Sequence, residues 1–165
     1  MIGVKQKTGA TYDKDGGLAR RGTVDEVVLA TLMAHPYFDA KPPKSLDRLS
    51  FDGAAVLALS DADGAATLTA FTAEAVALGL AHCPELPSKV ILCGGGRHNK
   101  ALLDMLRARA QIECIDCDAA GWHGDSLEAQ AFAWLAMRSV RKMPLSRPET
   151  TGVSEPVSGG VLFCA

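Results

Sequence analysis

A chain of 165 residues with 48% hydrophobic and 22% charged side chains has the size of one domain and the composition of an ordinary soluble globular protein. Seventeen Lys and Arg stand against 19 Asp and Glu, a net charge of -2, and no basic block marks a nucleic-acid footprint, so nucleic acid is not an expected partner. Five scattered cysteines with no secretion signal argue for reduced thiols.

The segment 1–8 carries Lys5 and Lys7 but no apolar run, which makes it neither a signal peptide nor a membrane span and predicts a cytoplasmic protein. Thr11 to Gly17 is turn-rich and leads into a short helix around Leu18 to Arg21. From Thr23, an N-cap candidate with Glu26 three residues on, Val27, Val28 and Leu32 follow a helical period that His35-Pro36 stops.

Pro42-Pro43 then holds a rigid extended loop that presents Lys44 and Ser45. Lys44 either meets a phosphate or carboxylate or is a solvated lysine in a connection. Arg48 and Phe51 open a further helical pattern, Phe51 to Leu59, ended by the Ser60-Asp61-Ala62-Asp63-Gly64 turn. Ala66 to His82 reads as a long helix with Leu68, Phe71, Ala75, Leu78 and Leu80 mostly on one side, terminated by Cys83-Pro84-Glu85-Leu86-Pro87.

The most informative stretch follows. Val90-Ile91-Leu92-Cys93 ends in Gly94-Gly95-Gly96, after which Leu102, Leu103, Leu106 and Ala110 recur at helical spacing: strand, tight turn, helix. Three glycines let a ligand approach the backbone, and Asn99 suits a helix N-terminus that favours polar ligand atoms. The dinucleotide fingerprint fails because its sixth position is Asn99, and the ATPase phosphate loop fails because Lys100 is followed by Ala101 rather than a hydroxyl residue. The stretch is thus either a nucleotide-handling turn of another kind or simply a glycine-rich connection.

Ile112 to Asp116 forms a second strand, which in the order strand, helix, strand implies a parallel pair. Cys114 and Cys117 have redox or metal spacing, but they lie in that strand and no second pair completes a zinc site, so no metal centre is expected. Asp125 and Glu128 have the spacing of a capping box at the head of the next helix. Glu128 shares a face with Phe132, Leu135 and Ser139, which points it inward and leaves it either a cap or a ligand for substrate hydroxyls. His123, between glycines, has no visible partner, and the glycine-rich tail from Thr150 to Val161 either closes over a ligand or returns along the surface.

Taken together these motifs resemble, over nearly the whole chain, the C-terminal part of the anhydro-N-acetylmuramic acid kinase family. The residues that carry the resemblance are Tyr12-Asp13-Lys14-Asp15-Gly16, His35-Pro36-Tyr37-Phe38, Pro42-Pro43-Lys44-Ser45 with Arg48 and Phe51, and Cys93-Gly94-Gly95-Gly96-Arg97-His98-Asn99. Gly121-Trp122 with Gly124-Asp125, Glu128-Ala129-Gln130-Ala131-Phe132-Ala133 and Thr151-Gly152-Val153 continue it in the same order and spacing. The implied fold is α/β, helix-rich with a small, mainly parallel sheet, resembling part of the second domain of an actin-like (ribonuclease H-like) sugar kinase, and 1–165 is expected to be a single domain.

The resemblance implies an ATP- and Mg-dependent enzyme that opens and phosphorylates 1,6-anhydro-N-acetylmuramic acid to N-acetylmuramic acid 6-phosphate during cell-wall recycling. It implies that Gly94, Gly95, Gly96 and Asn99 contact adenosine, that Lys44 lies near the interdomain cleft and that Glu128 touches the sugar. The family's N-terminal phosphate loop, its water-activating aspartate and its Asp-Thr-Gly-Pro-Gly-Asn motif have no counterpart here. No catalytic residue is therefore expected, the ATP phosphates and Mg are expected to be held by residues that this chain does not contain, and activity is expected only beside a separate N-terminal half. The sequence alone leaves room for a non-catalytic nucleotide-binding or interaction module, as a monomer or an oligomer, and for a glycine-loop methyltransferase or dehydrogenase, against which the failed fingerprint at Asn99 counts. An exposed sheet edge and an exposed apolar face are also expected, where hairpin strands would lie upstream of Met1.

Overall fold

The computed structural model describes residues 12–47, 50–51 and 53–163. The readings made on segment 1–8, on Thr11, on Arg48 and on Cys164 fall outside these residues. Among them, helices dominate and the only sheet is a parallel pair, β1 (Lys89–Leu92) and β2 (Glu113–Asp116), as expected. Val90 pairs with Cys114 and Ile91 with Ile115.

Helix α1 (Glu26–Met33) starts two residues later than a Thr23 cap would place it. Asp25 is the actual cap, its carboxylate accepting from Val27 N and Val28 N. Thr23 is drawn away because its own N–H donates to Asp63 at 2.7 Å.

Helix α2 (Asp61–Leu80) begins a full turn earlier than expected. Ser60 caps it by accepting from Asp63 N at 3.1 Å while its hydroxyl donates to the Asp63 carboxylate at 2.7 Å, so residues read as a turn form the first helical turn. The expected helix over Phe51 to Leu59 is replaced by a short 3-10 turn, Gly53–Val56. Phe51 instead joins a ring cluster, 5.0 Å from His35 and from Phe71 and 5.9 Å from Phe38.

Helix α3 (Lys100–Ala110) packs along α2. The seam on α2 is not the leucine side read from the sequence: Leu68 and Leu78 are exposed, and Ala66, Ala70 and Ala73 are wholly buried. Alanines at spacings of four and three let the two backbones approach closely. Ala73 meets Leu106 and Cys114, with Leu92, Leu102, Met105 and Ile112 against them, so the helix pair closes over one side of the sheet. Arg109 ties three helices together, donating to Glu26 at 2.7 Å on α1 and to Glu74 at 3.1 Å on α2.

Helix α4 (Leu127–Val140) differs in kind, because none of its residues is buried. It is held at its ends: Asp125 just ahead of it pairs with Arg97, Arg138 Nε donates to Pro144 O, and the Ser139 hydroxyl donates to Gly159 O. The tail then forms α5 (Pro148–Thr151) and an antiparallel bridge between Ser146 and Val157.

Candidate functional site

The glycine turn and the segment after β2 come together at the ends of the two strands. Gly94 leaves β1 in a left-handed conformation, φ +72°, that a side chain would resist. Gly95–His98 make one 3-10 turn, and Asn99 caps α3 by accepting from Leu102 N at 3.0 Å. The expected strand, tight turn and capped helix are all present.

Arg97 is the residue on which this arrangement depends, and it is almost entirely buried. Its guanidinium donates to Gly94 O at 3.1 Å, to Asp118 Oδ2 at 3.3 Å and to Asp125 Oδ1 at 2.7 Å, and Asp116 stands 3.6 Å away. One arginine thus fixes the shape of the glycine turn and ties it to the stretch from β2 to the head of α4. Asp125 raises the Arg97 pKa further above its ordinary value. The Gly124 N–H, with Arg97 behind it, holds the Asp118 carboxyl below the usual carboxylate range.

Gly124 lies directly over this cluster: a Cβ there would come within 2.7 Å of Arg97 Cζ and of Cys117 Sγ. Its N–H donates to Asp118 Oδ1 at 2.9 Å. The Gly121-Trp122-His123-Gly124-Asp125 motif is therefore the cover of the arginine. Sequence reasoning missed Arg97, Asp116 and Asp118. The available signal was three aspartates within ten residues, a supply of carboxylate for one buried cation.

The outer side of the turn is open. A Cβ on Gly95 would meet nothing within 4 Å, and Gly95 has no positive φ, so neither packing nor backbone geometry within the chain requires glycine there. On the inner side, a Cβ at Gly16 would collide with Asn99 Oδ1. The Tyr12-Asp13-Lys14-Asp15-Gly16 turn thus packs against the cap of α3, itself braced by the Asp13 carboxylate accepting from Leu18 N and Ala19 N.

Lys44 and Glu128 stand apart from this cluster. Lys44 Nζ donates to Tyr37 O at 2.9 Å and Phe38 O at 3.3 Å and sits over the Tyr37 ring, so two of its three donors are used within its own loop. Glu128 does not point inward: it is exposed in the first turn of α4. The capping box is also absent, since Asp125 bonds to Arg97 instead and Ser126, at the cap position, makes no side-chain cap bond. Among the described residues no hydrogen bond or ion pair joins either side chain to the glycine turn. The tail packs on the proline loop, with Pro43 beside Gly152. An open cleft of about 320 Å³ lies elsewhere, between α1 and the ring cluster, lined by Thr31, Leu32, His35 and Phe51.

Asp116, Cys117 and Asp118 offer ligand atoms within 4.8 Å of one another, yet both carboxylates are already paired with Arg97 and Cys117 is a buried thiol whose pKa burial raises. That donor set does not fit Mg. The other described thiols are also free: Cys83 and Cys93 are exposed and Cys114 is buried.

The family model of anhydro-N-acetylmuramic acid kinase matches residues 2–165. This chain belongs to that family. The anhydro-N-acetylmuramic acid kinase of Rhizorhabdus wittichii is 51% identical over 156 residues, which cover 94% of this chain and 43% of the relative. That of Caulobacter vibrioides is 54% identical over 149 residues, covering 90% and 40%, and that of Methylorubrum populi is 50% identical over 159 residues, covering 96% and 42%. The chain therefore spans less than half the length of these kinases. Within the kinase family's shared region, no helix of the described residues is long and apolar enough to cross a membrane.

Proposed function

We propose that this chain is the C-terminal, adenosine-binding domain, residues 1–165, of a bacterial cytoplasmic kinase that converts 1,6-anhydro-N-acetylmuramic acid to N-acetylmuramic acid 6-phosphate in peptidoglycan recycling. It acts with ATP and Mg only when the remaining half of the kinase fold is supplied. The observation that carries this reading is Gly95, a glycine that the chain's own packing and backbone do not require, set on the open side of a turn at a strand end. Gly94, Gly95, Gly96 and Asn99 form the adenosine contact.

Electrostatics supports adenosine rather than phosphate at this place. Arg97 donates to Gly94 O of the turn and is already bonded to Asp118 and Asp125, with Asp116 close by, so the cluster has a local excess of carboxylate. A polyphosphate placed there would meet repulsion. The phosphates and Mg belong to the other half. Among the described residues Glu128 has no partner, which leaves it to accept from a sugar hydroxyl, and Lys44 has one of its three donors left for the same sugar.

Calorimetric titration with ADP tests the reading. The chain should bind ADP, and Gly95→Ala should weaken binding several-fold with an unchanged melting temperature, because the added methyl occupies only the ligand's space. Absence of ADP binding by the folded chain would overturn it. Phosphorylation of the anhydro sugar after coexpression with the unmatched stretch of a relative separates the kinase half from a non-catalytic nucleotide-binding module, which would bind ADP and restore no activity.

A further inference from the structure

One side chain ties the head of α4 to the glycine turn. Arg97 donates from Nη1 to Gly94 O at 3.1 Å, where the turn begins, and from Nη2 to Asp125 Oδ1 at 2.7 Å, two residues before α4. It reaches the same segment a second way, because Asp118 accepts from Arg97 Nε and Nη2 and also from the Gly124 N–H at 2.9 Å. Ser126 makes no side-chain cap bond, so no cap of the helix's own fixes where it starts.

Two properties make this clasp transmit a change rather than only brace the fold. A guanidinium is a rigid plane, and Arg97 is only 5% exposed, so its Nη1 and Nη2 edges move together. A displaced Gly94 carbonyl therefore displaces the donor that Asp125 meets. The Asp125 side chain, by contrast, is 89% exposed and can leave Arg97 for water without opening a cavity. The head of α4 thus has two states, clasped and released. Three successive glycines have little shape of their own, so the bond from Arg97 to Gly94 O selects the form of the turn seen here. A ligand seated on that form binds the clasped state better, and such a difference in affinity is what shifts an equilibrium.

We infer that Arg97 is a positioning residue that links the two proposed contacts: nucleotide on Gly94, Gly95 and Gly96 favours the clasped state and so orders the first turn of α4, where Glu128 stands three residues beyond Asp125. This rests on the proposed reading of both contacts. Nucleotide thereby prepares the sugar contact, and by reciprocity a fixed head of α4 tightens nucleotide binding.

Hydrogen exchange on the full chain, with and without saturating ADP, tests the link at residues 130–133, whose amides close the first turn of α4; the Gln130 N–H donates to Ser126 O at 2.9 Å. In the unaltered chain ADP should slow these amides about fivefold. Asp125→Ala should bring that ratio to one and weaken ADP binding by a similar factor in calorimetry. Asp125→Asn, whose side-chain oxygen still accepts from Arg97, should recover part of both effects. Glu85→Ala, which removes an exposed carboxylate from the loop before β1, should change neither. Without nucleotide, Asp125→Ala should also speed exchange at the Arg97 and Asn99 amides, which bond to Gly94 O and Gly96 O inside the turn, about fivefold.

If Asp125 is only structural, its loss raises exchange at 130–133 equally with and without ADP and leaves the ratio intact, which overturns the inference. Turn amides indifferent to Asp125→Ala overturn it as well. ADP binding that leaves 130–133 unprotected overturns the link and leaves the adenosine reading standing. A turn that responds to Asp125→Ala in a folded chain that binds no ADP supports the link and removes the adenosine reading.

Discussion

Arg97 carries the polar architecture of the glycine turn, and its partners make that architecture sensitive to acid. Asp118 titrates below the ordinary carboxylate value because the Gly124 N–H and then the Arg97 guanidinium favour its charged form. A depressed folded-state pKa contributes stability that is complete above the unfolded value of about 4 and is lost as pH falls through the folded value. Urea midpoints should therefore hold level from neutral pH to about pH 5 and fall below about pH 4. Asp118→Asn should lower the midpoint at neutral pH and lessen that acid-side fall, leaving the share that comes from Asp63, whose carboxyl is held down by the Thr23 N–H. At this scale the sequence was legible where a residue acts on its own backbone: Gly94 turns and Asn99 caps as their types predict. It was not legible where a role depends on what the fold brings near. Arginine is ordinarily a surface residue, and only the meeting of the glycine turn with the segment after β2 makes Arg97 internal.

The α2–α3 pair is the principal packed element, and its seam of small residues sets how it responds to substitution. Leu106 is 4% exposed against Ala73 and Cys114, so Leu106→Ala removes buried methyl groups and leaves a void, at a cost of about 2–5 kcal/mol in denaturant titration. Ala70→Leu acts by overfilling: the wholly buried Ala70 has no room for three more carbons, and forcing the helices apart should cost about 1–3 kcal/mol. A loss under 0.5 kcal/mol in either variant would mean that the pair is not tightly packed. Periodicity revealed that α2 and α3 exist, and the order strand, helix, strand that the pair is parallel, but periodicity chose the wrong side of α2. Leucines weigh more than alanines in any hydrophobic count, whereas close helix packing selects the smaller residue. Phe51 to Leu59 failed for a related reason: a local helical pattern was overridden by the pull of Phe51 into rings from His35, Phe38 and Phe71, which are distant in sequence.

Across the whole molecule, stability is unevenly distributed. The helix pair, the sheet and the Arg109 links to Glu26 and Glu74 concentrate the buried surface on one side. A bare apolar face was expected, and α4 exposes Phe132, Trp134, Met137 and Val140, with no described residue burying them. Glu128 was expected to face inward because it shares a helical face with Phe132, Leu135 and Ser139, and that face is not buried either. The end-fastened condition of α4 has a consequence for the order in which the protein opens. A helix without buried residues, secured by Asp125 to Arg97, Arg138 to Pro144 and Ser139 to Gly159, is a separate cooperative unit: it can melt and reform while α2 and α3 stay intact. Native-state hydrogen exchange should show amides of 127–140 opening with a free energy well below that of global unfolding and little dependence on denaturant, while those of 66–78 and 102–109 exchange only through the global event. Equal protection in the two regions would sink this view. The stretch from Leu127 to Val140 then works as a latch, opening and closing while the helix pair beside it holds.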